Sequence, residues 1–381
     1  MRKRRTFAAL AAVAAVAAGS TMGAQAFAAG PHQSTAGRSA QAPRLDHVFV
    51  IMLENHSQSS VIGNANAPFM NRLAKKNVIA DHYYGVTHPS MPNYIAAIAG
   101  DNFGIQDDED ENVVNLKRRN LVDQLESRHV RWAAYMETLP PDKLARYWPQ
   151  KTNADGTKTD IKLYAKKHNP FVLFDDIKNN PRRMNHVRDY SRMASDLNKK
   201  GAPQFVWISP NQCNDMHGGV YDTVAGHPET PCPYGSAKDD ANDAALKKKA
   251  DSFVRTAVHT IRSSKAWTKH SAIVIVTDEN DYTGNTTNGG WENADGCCDS
   301  PYVAAHDPRV SKDWPGGTYG GGLIPAIIVS PQGPHGYVDH TKYNHYSLLT
   351  TLEENWHVRY LGHAGDRAGG VRPMWKSFMR R

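Results

Sequence analysis

The chain has 381 residues, 40% of them hydrophobic and 22% charged, which is enough for one large α/β domain or two ordinary ones. Its formal charge of +7 falls to +3 without residues 1–29, which hold four basic and no acidic side chains (45 − 4 = 41 basic against 38 acidic). That balance carries no nucleic-acid footprint, and no stretch beyond the leader approaches the ~18 apolar residues of a membrane span.

Arg2, Lys3, Arg4 and Arg5 precede an Ala/Val run from Ala8 to Ala18 and the small-residue sequence GAQAFAA, the layout of a secretory signal peptide over residues 1–29. Arg4-Arg5-Thr6-Phe7 also fits a twin-arginine export signal. The mature protein is therefore expected to be secreted, with a flexible lead-in over residues 30–45, one domain over 46–363 and a basic tail over 364–381. Four cysteines, Cys213, Cys232, Cys297 and Cys298, are compatible with two disulfides in an oxidising compartment. Because a vicinal bridge is strained, Cys297 and Cys298 are expected to reach outward to Cys213 and Cys232. Their spacings match none of the usual zinc-ligand patterns.

In chain order, the unbroken apolar run Val48–Leu53 predicts a fully buried strand of a mostly parallel sheet, and it stops at Glu54 and Asn55. Ligands of open α/β sheets bind beyond the carboxyl ends of such strands, so this pair is a candidate holder of a divalent cation. A helix over Ala67–Lys76 and a strand over about Val78–Tyr84 follow. Thr87, His88, Pro89 and Ser90 then form a turn before a helix over Met91–Ala99, which places Ser90 where free N–H groups favour an anion. Asp107 to Glu111 reads as a solvated acidic loop.

Leu121–His129 and Arg131–Tyr135 read as helix and strand, and Leu139–Asp160 as an excursion over the sheet edge. Lys167 and His168 open a basic and aromatic stretch to Ile177 that could line a pocket for an anionic head group. A strand over Gln204–Ser209 leads to Asn214, Asp215 and His217, a candidate metal or acid/base cluster. After an amphipathic helix over Ala241–Ile261, the strand Ala272–Thr277 ends in Asp278-Glu279, two adjacent carboxylates that repel unless a cation neutralises them. A long loop over Tyr282–Gly322, a strand over Leu323–Ser330 and a helix over Leu348–Trp356, with His345 near its start, complete the pattern. There is no glycine-rich nucleotide loop and no GxSxG elbow.

HVFVIMLENHS, THPSMPNY, SPNQCNDMHGG, VTDEND and NHYSLLTTLEENW, in that order, with IGNANAPFMNRLA and YAKKHNPFVLF, resemble the bacterial phosphoesterase family of secreted acid phosphatases and phospholipases C. The resemblance implies an alkaline-phosphatase-like α/β fold, with a central mostly parallel sheet and helices on both faces. It implies a metal-dependent phosphatase in which Ser90 is nucleophile and metal ligand, and Glu54, Asn55, Asp278 and Glu279 hold the cation. His217 would protonate the leaving oxygen or hold the phosphate, Asp215 and His345 would serve a second metal, and His88, Asn93, Lys167 and His168 would contact substrate. The substrate would be a phosphomonoester, phosphatidylinositol 3-phosphate among the candidates. The alternatives are a phospholipase C using the same residues and an inactive secreted binding protein. Thr277 and His56 stand where the family often has Trp and Arg.

Overall fold

The computed structural model describes residues 45–109, 116–236, 238–281 and 294–380. The leader and most of the lead-in therefore lie outside the described residues, as does most of the Gly/Asn-rich part of the long loop. Eight strands form the main sheet: β1 His47–Leu53, β2 Val78–Ala80, β3 Trp132–Met136, β4 Val187–Asp189, β5 Phe205–Ser209, β6 Ser271–Thr277, β7 Ala326–Val329 and β8 Tyr337–Asp339. Their order is β8-β2-β7-β6-β1-β5-β3-β4. Only β7 runs against the others. The fold is thus the expected α/β class with a mostly parallel sheet.

β1 lies at the centre, paired with β5 and β6 along its length. Its side chains alternate between two cores. Val48, Val50 and Met52 pack with one face, while Phe49, Ile51 and Leu53 pack with the other. An unbroken apolar run is what a strand covered on both sides requires, and each such buried side chain contributes ~1.5–3 kcal/mol. The first face is covered by α2 (Ser90–Ala99), α3 (Leu121–Ser127) and α5 (His345–Asn355), the second by α1 (Pro68–Lys76) and α4 (Ala241–Arg262). Asp240 caps α4 by accepting from the Asp243 N–H.

Several boundaries move. The run Val78–Tyr84 breaks at Asp81-His82, so that Tyr83–Tyr84 leaves the main sheet for a small one with Leu323–Ile324 and Tyr343–Asn344. Pro325, which has no N–H for a ladder, splits the expected Leu323–Ser330 strand in the same way. The excursion is a hairpin of Tyr147–Thr152 and Lys158–Ala165. Residues 364–380 are not a tail. Val371, Met374 and Phe378 are fully buried, and a short helix at Trp375–Phe378 packs on β2, β7 and β8, so the compact unit runs past residue 363.

The cysteines pair otherwise than expected: Cys213 with Cys232, and Cys297 with Cys298. Cys213 and Cys232 sit with Cα atoms 5.4 Å apart beside the Val220–Cys232 bridge, within reach of one another. Cys297 and Cys298 belong to a separate cluster with Val86, Ala96, Tyr346 and Val371, which removes any cross-pairing. Asn344, the N-cap of α5, donates to both of their carbonyls at 3.1 Å.

Candidate active site

Four buried carboxylates meet at the carboxyl ends of three adjacent strands. Glu54 follows β1, Asp215 follows β5, and Asp278 and Glu279 follow β6. Ser90, the first residue of α2, donates its hydroxyl to Glu54 Oε2 at 2.9 Å and lies 3.4 Å from Glu279 Oε1. The backbone N–H of Asn55 donates to Asp278 Oδ1 at 3.0 Å, while its side chain turns to the Tyr234 hydroxyl at 2.7 Å.

All four carboxyls are held well above the usual carboxylate range. Burial is the first cause in each case. Repulsion from Asp278 adds to Glu54 and Asp215, repulsion from Glu279 adds to Asp278, and repulsion from Asp108 adds to Glu279. Unpaired buried charge of this density must be neutralised by protons or by a cation.

His168 makes that need specific. Its Nε2 lies 3.2 Å from Glu54 Oε1 and its Nδ1 lies 3.4 Å from Asp215 Oδ2. Burial, aided by Lys167 and His217, holds its pKa well below the ordinary value, so the ring is neutral and can donate to only one of the two carboxylates. Asp278 Oδ2 is buried and without a hydrogen-bond partner. Glu54, His168 and His217 bring donor atoms within 4.8 Å of one another. A divalent cation fits this donor set on both counts.

Lys167 supplies the fixed positive charge. Its Nζ donates to Asp108 Oδ2 at 2.7 Å and lies 3.4 Å from His217 Nε2. Burial works against the ammonium, but attraction to Asp108 and then Glu54 outweighs it and holds the lysine protonated. Asp108 also accepts from the Met91 N–H at 2.9 Å, which ties the lysine to the first turn of α2. Asp108 is therefore part of the site and not the solvated surface that its acidic neighbourhood predicts. Its partner lies 59 residues away, beyond any local pattern.

His217 Nδ1 donates to the Gly218 carbonyl at 3.0 Å, and burial, then Lys167, push its pKa down to about 3. The ring is neutral, with Nε2 an acceptor facing the ammonium. Of its two expected roles, protonating the leaving oxygen does not fit that state.

Three other assigned residues are buried. His88 is 1% exposed and sits against Glu279, Nδ1 to Oε2, at 2.7 Å. Asn93 is fully buried; its Oδ1 accepts from the N–H groups of Val86 and Thr87, and its Nδ2 donates to the Thr87 carbonyl. Both brace the loop that carries Ser90 and the Glu279 carboxylate beside it. His345 Nε2 donates to the Asp278 carbonyl at 2.6 Å, and its Nδ1 lies 3.3 Å from the Tyr83 hydroxyl. With both nitrogens engaged, His345 positions the strand end and is not free to hold a second ion.

Beside the cluster lies a cleft of about 180 Å³ with Asn55, His217, Tyr234 and Asp281 among its walls. Tyr234, absent from the sequence reading, meets His217 edge-on at 5.2 Å between ring centroids. Behind the carboxylates, Gly85 and Gly321 pass so closely that a Cβ on Gly85 would stand 2.8 Å from the Asp278 carbonyl oxygen and 2.9 Å from Gly321. Gly85→Ala should therefore cost ~1–3 kcal/mol, read by denaturant unfolding, since both obstacles are backbone.

The chain resembles a probable acid phosphatase of Kluyveromyces lactis at 27% identity, over 84% of this chain and 60% of the relative. It resembles a phosphatidylinositol-3-phosphatase of Mycobacterium tuberculosis at 32%, over 46% of this chain and 53% of the relative. It thus spans 60% and 53% of the two relatives' own lengths. A solved Bacteroides thetaiotaomicron structure from work on glycosaminoglycan metabolism matches with a TM-score of 0.50 at 12% identity, over 89% of this chain and 83% of that one. A Vibrio parahaemolyticus protein in the alkaline phosphatase superfamily matches with a TM-score of 0.45 at 12% identity, over 83% and 67%. The model of the phosphoesterase family matches residues 64–228 and 234–359, well over half of the sequence, and the chain belongs to that family.

Proposed function

We propose that this protein is an exported, cation-dependent phosphomonoesterase of the acid phosphatase kind, with Ser90 as nucleophile. The observation that carries the reading is the Ser90 hydroxyl, buried at the first residue of α2 and hydrogen-bonded to Glu54 within a cluster of under-neutralised carboxylates. Glu54, Asn55, Asp278 and Glu279 would hold a divalent cation beside Ser90. When bound, it supplies charge stabilisation to the phosphoryl oxygens and lowers the pKa of an adjacent hydroxyl.

The chain's own residues do the rest. Glu54 Oε2 accepts the Ser90 hydrogen bond and, ionised beside the cation, is placed to take the hydroxyl proton as Oγ bonds to phosphorus; the departing ester oxygen takes up a proton from solvent and leaves as the alcohol. Lys167, held charged by Asp108, faces the side where phosphoryl negative charge must be balanced. His88 and Asn93 keep Glu279 and the Ser90 loop in place. Water then attacks the phosphoserine, releasing phosphate and restoring the hydroxyl.

The likeness to the mycobacterial phosphatase makes phosphatidylinositol 3-phosphate a candidate substrate. The basic, apolar leader and the Cys213–Cys232 bridge support export to an oxidising compartment. Acid quenching during turnover, followed by mass analysis of the peptide bearing Ser90, should reveal an added phosphoryl group. Label on any other residue would reassign the nucleophile. Lys167→Met should lower kcat/KM for a monoester by ~10–100-fold, mostly through KM, because a charge-assisted hydrogen bond to phosphate contributes ~1.5–3 kcal/mol.

A further inference from the structure

On the same edge of the sheet as the carboxylate cluster, beyond β7, the chain repeats a dipeptide. The parallel neighbours β2 and β8 both run out into Asp-His: Asp81-His82 directly follows β2, and Asp339-His340 spans the end of β8, with Ala80 in register with Asp339. The two aspartates have parted roles. Asp339 is buried and accepts from Tyr343 and Ser377 at 3.0 and 2.7 Å. Asp81 turns outward, with Oδ1 2.7 Å from His82 Nδ1 and Oδ2 2.7 Å from His340 Nδ1. The two imidazole rings stand 6.2 Å apart and nearly perpendicular.

From this convergence we infer that Asp81, His82 and His340 form a surface site for a borderline first-row divalent ion such as zinc, separate from the proposed catalytic cation. The ligand atoms of all three lie within 4.8 Å of one another. The side chains of His82 and His340 are 44% and 72% exposed, so an ion enters without disturbing the core. Among the described residues Asp81 has no lysine or arginine partner and faces only the two imidazoles.

Two ring nitrogens and one carboxylate suit zinc, copper(II) or nickel(II), and are poor company for calcium or magnesium, which require oxygen ligands throughout. An ion seated there replaces the two Nδ1–H hydrogen bonds, the ring protons moving to Nε2. It also clips β8, the edge strand, to β2 at the point where their backbone pairing ends.

The test compares wild type with His340→Ala and His82→Ala after equilibrium dialysis against zinc chloride and elemental analysis. Wild type should retain one equivalent of zinc more than either variant, with monoester hydrolysis unchanged in both. Copper(II) loaded in place of zinc should show nitrogen couplings from two imidazoles in the wild-type-minus-variant electron paramagnetic resonance spectrum. Equal zinc in all three proteins, with the variants altering thermal stability alone, would make the trio a hydrogen-bonded latch and overturn the assignment.

Discussion

Ser90→Ala is expected to lower phosphate release by about 10³-fold or more while leaving the fold intact. The substitution removes one oxygen at the first residue of α2, and Pro92, inside the helix's first turn, still favours its start there. In the proposed mechanism, what is lost is the atom that bonds to phosphorus. Glu54, Lys167 and any bound cation remain, so substrate affinity should fall far less than turnover. Uncatalysed monoester hydrolysis is slow enough for enzymes to accelerate it by up to ~10²¹, and positioning and charge stabilisation cannot act on a nucleophile that is gone. Single-turnover phosphate release and circular dichroism on the same preparation separate the two effects. A variant retaining wild-type turnover would remove Ser90 from the chemistry.

The second large effect is expected at Asp278, and its sign differs between activity and stability. Asp278→Asn should lower turnover by about 10²–10³-fold, since it would weaken the hold on the proposed cation beside Ser90. In chelated protein near neutral pH, the same variant should be more stable than wild type, because one of four mutually repelling buried carboxylates has been neutralised.

A pH dependence follows from the same groups. The folded-state pKa values of Glu54, Asp215, Asp278 and Glu279 are raised, so the native state binds more protons than the unfolded chain above ~pH 4. Their contribution to stability is therefore complete below ~pH 4 and is lost as pH rises through the folded-state values. Chelated wild type should melt at progressively lower temperature from pH 4.5 to about 7.5. Cation-loaded wild type should show a much flatter profile, because a bound ion balances the deprotonated carboxylates. Identical profiles with and without chelator would show that no cation sits among them.

How far the chain could be read depended on whether a residue's role was local. β1, β5 and β6 were legible as apolar runs because strands covered on both faces leave no polar alternation. The residues that follow them, Glu54, Asp215 and the Asp278-Glu279 pair, do converge. Ser90 was legible from the turn and proline around it. Asp108 was not, because its place depends on Lys167 and on a backbone N–H of α2, contacts that no local acidic pattern encodes. His345 was rightly placed at a helix start, yet only the folded chain shows its two nitrogens taken by Asp278 and Tyr83. The cysteine pairing failed for a similar reason. Strain was the only local criterion, and tertiary packing put the two pairs in different clusters.

The most direct test of the central claim is phosphate release by the purified protein from a phosphomonoester and a phosphodiester side by side, with and without chelator. Release from the monoester that chelator abolishes and added divalent cation restores is the predicted result. Cleavage of the diester in its place, or monoester hydrolysis indifferent to chelator, would contradict it.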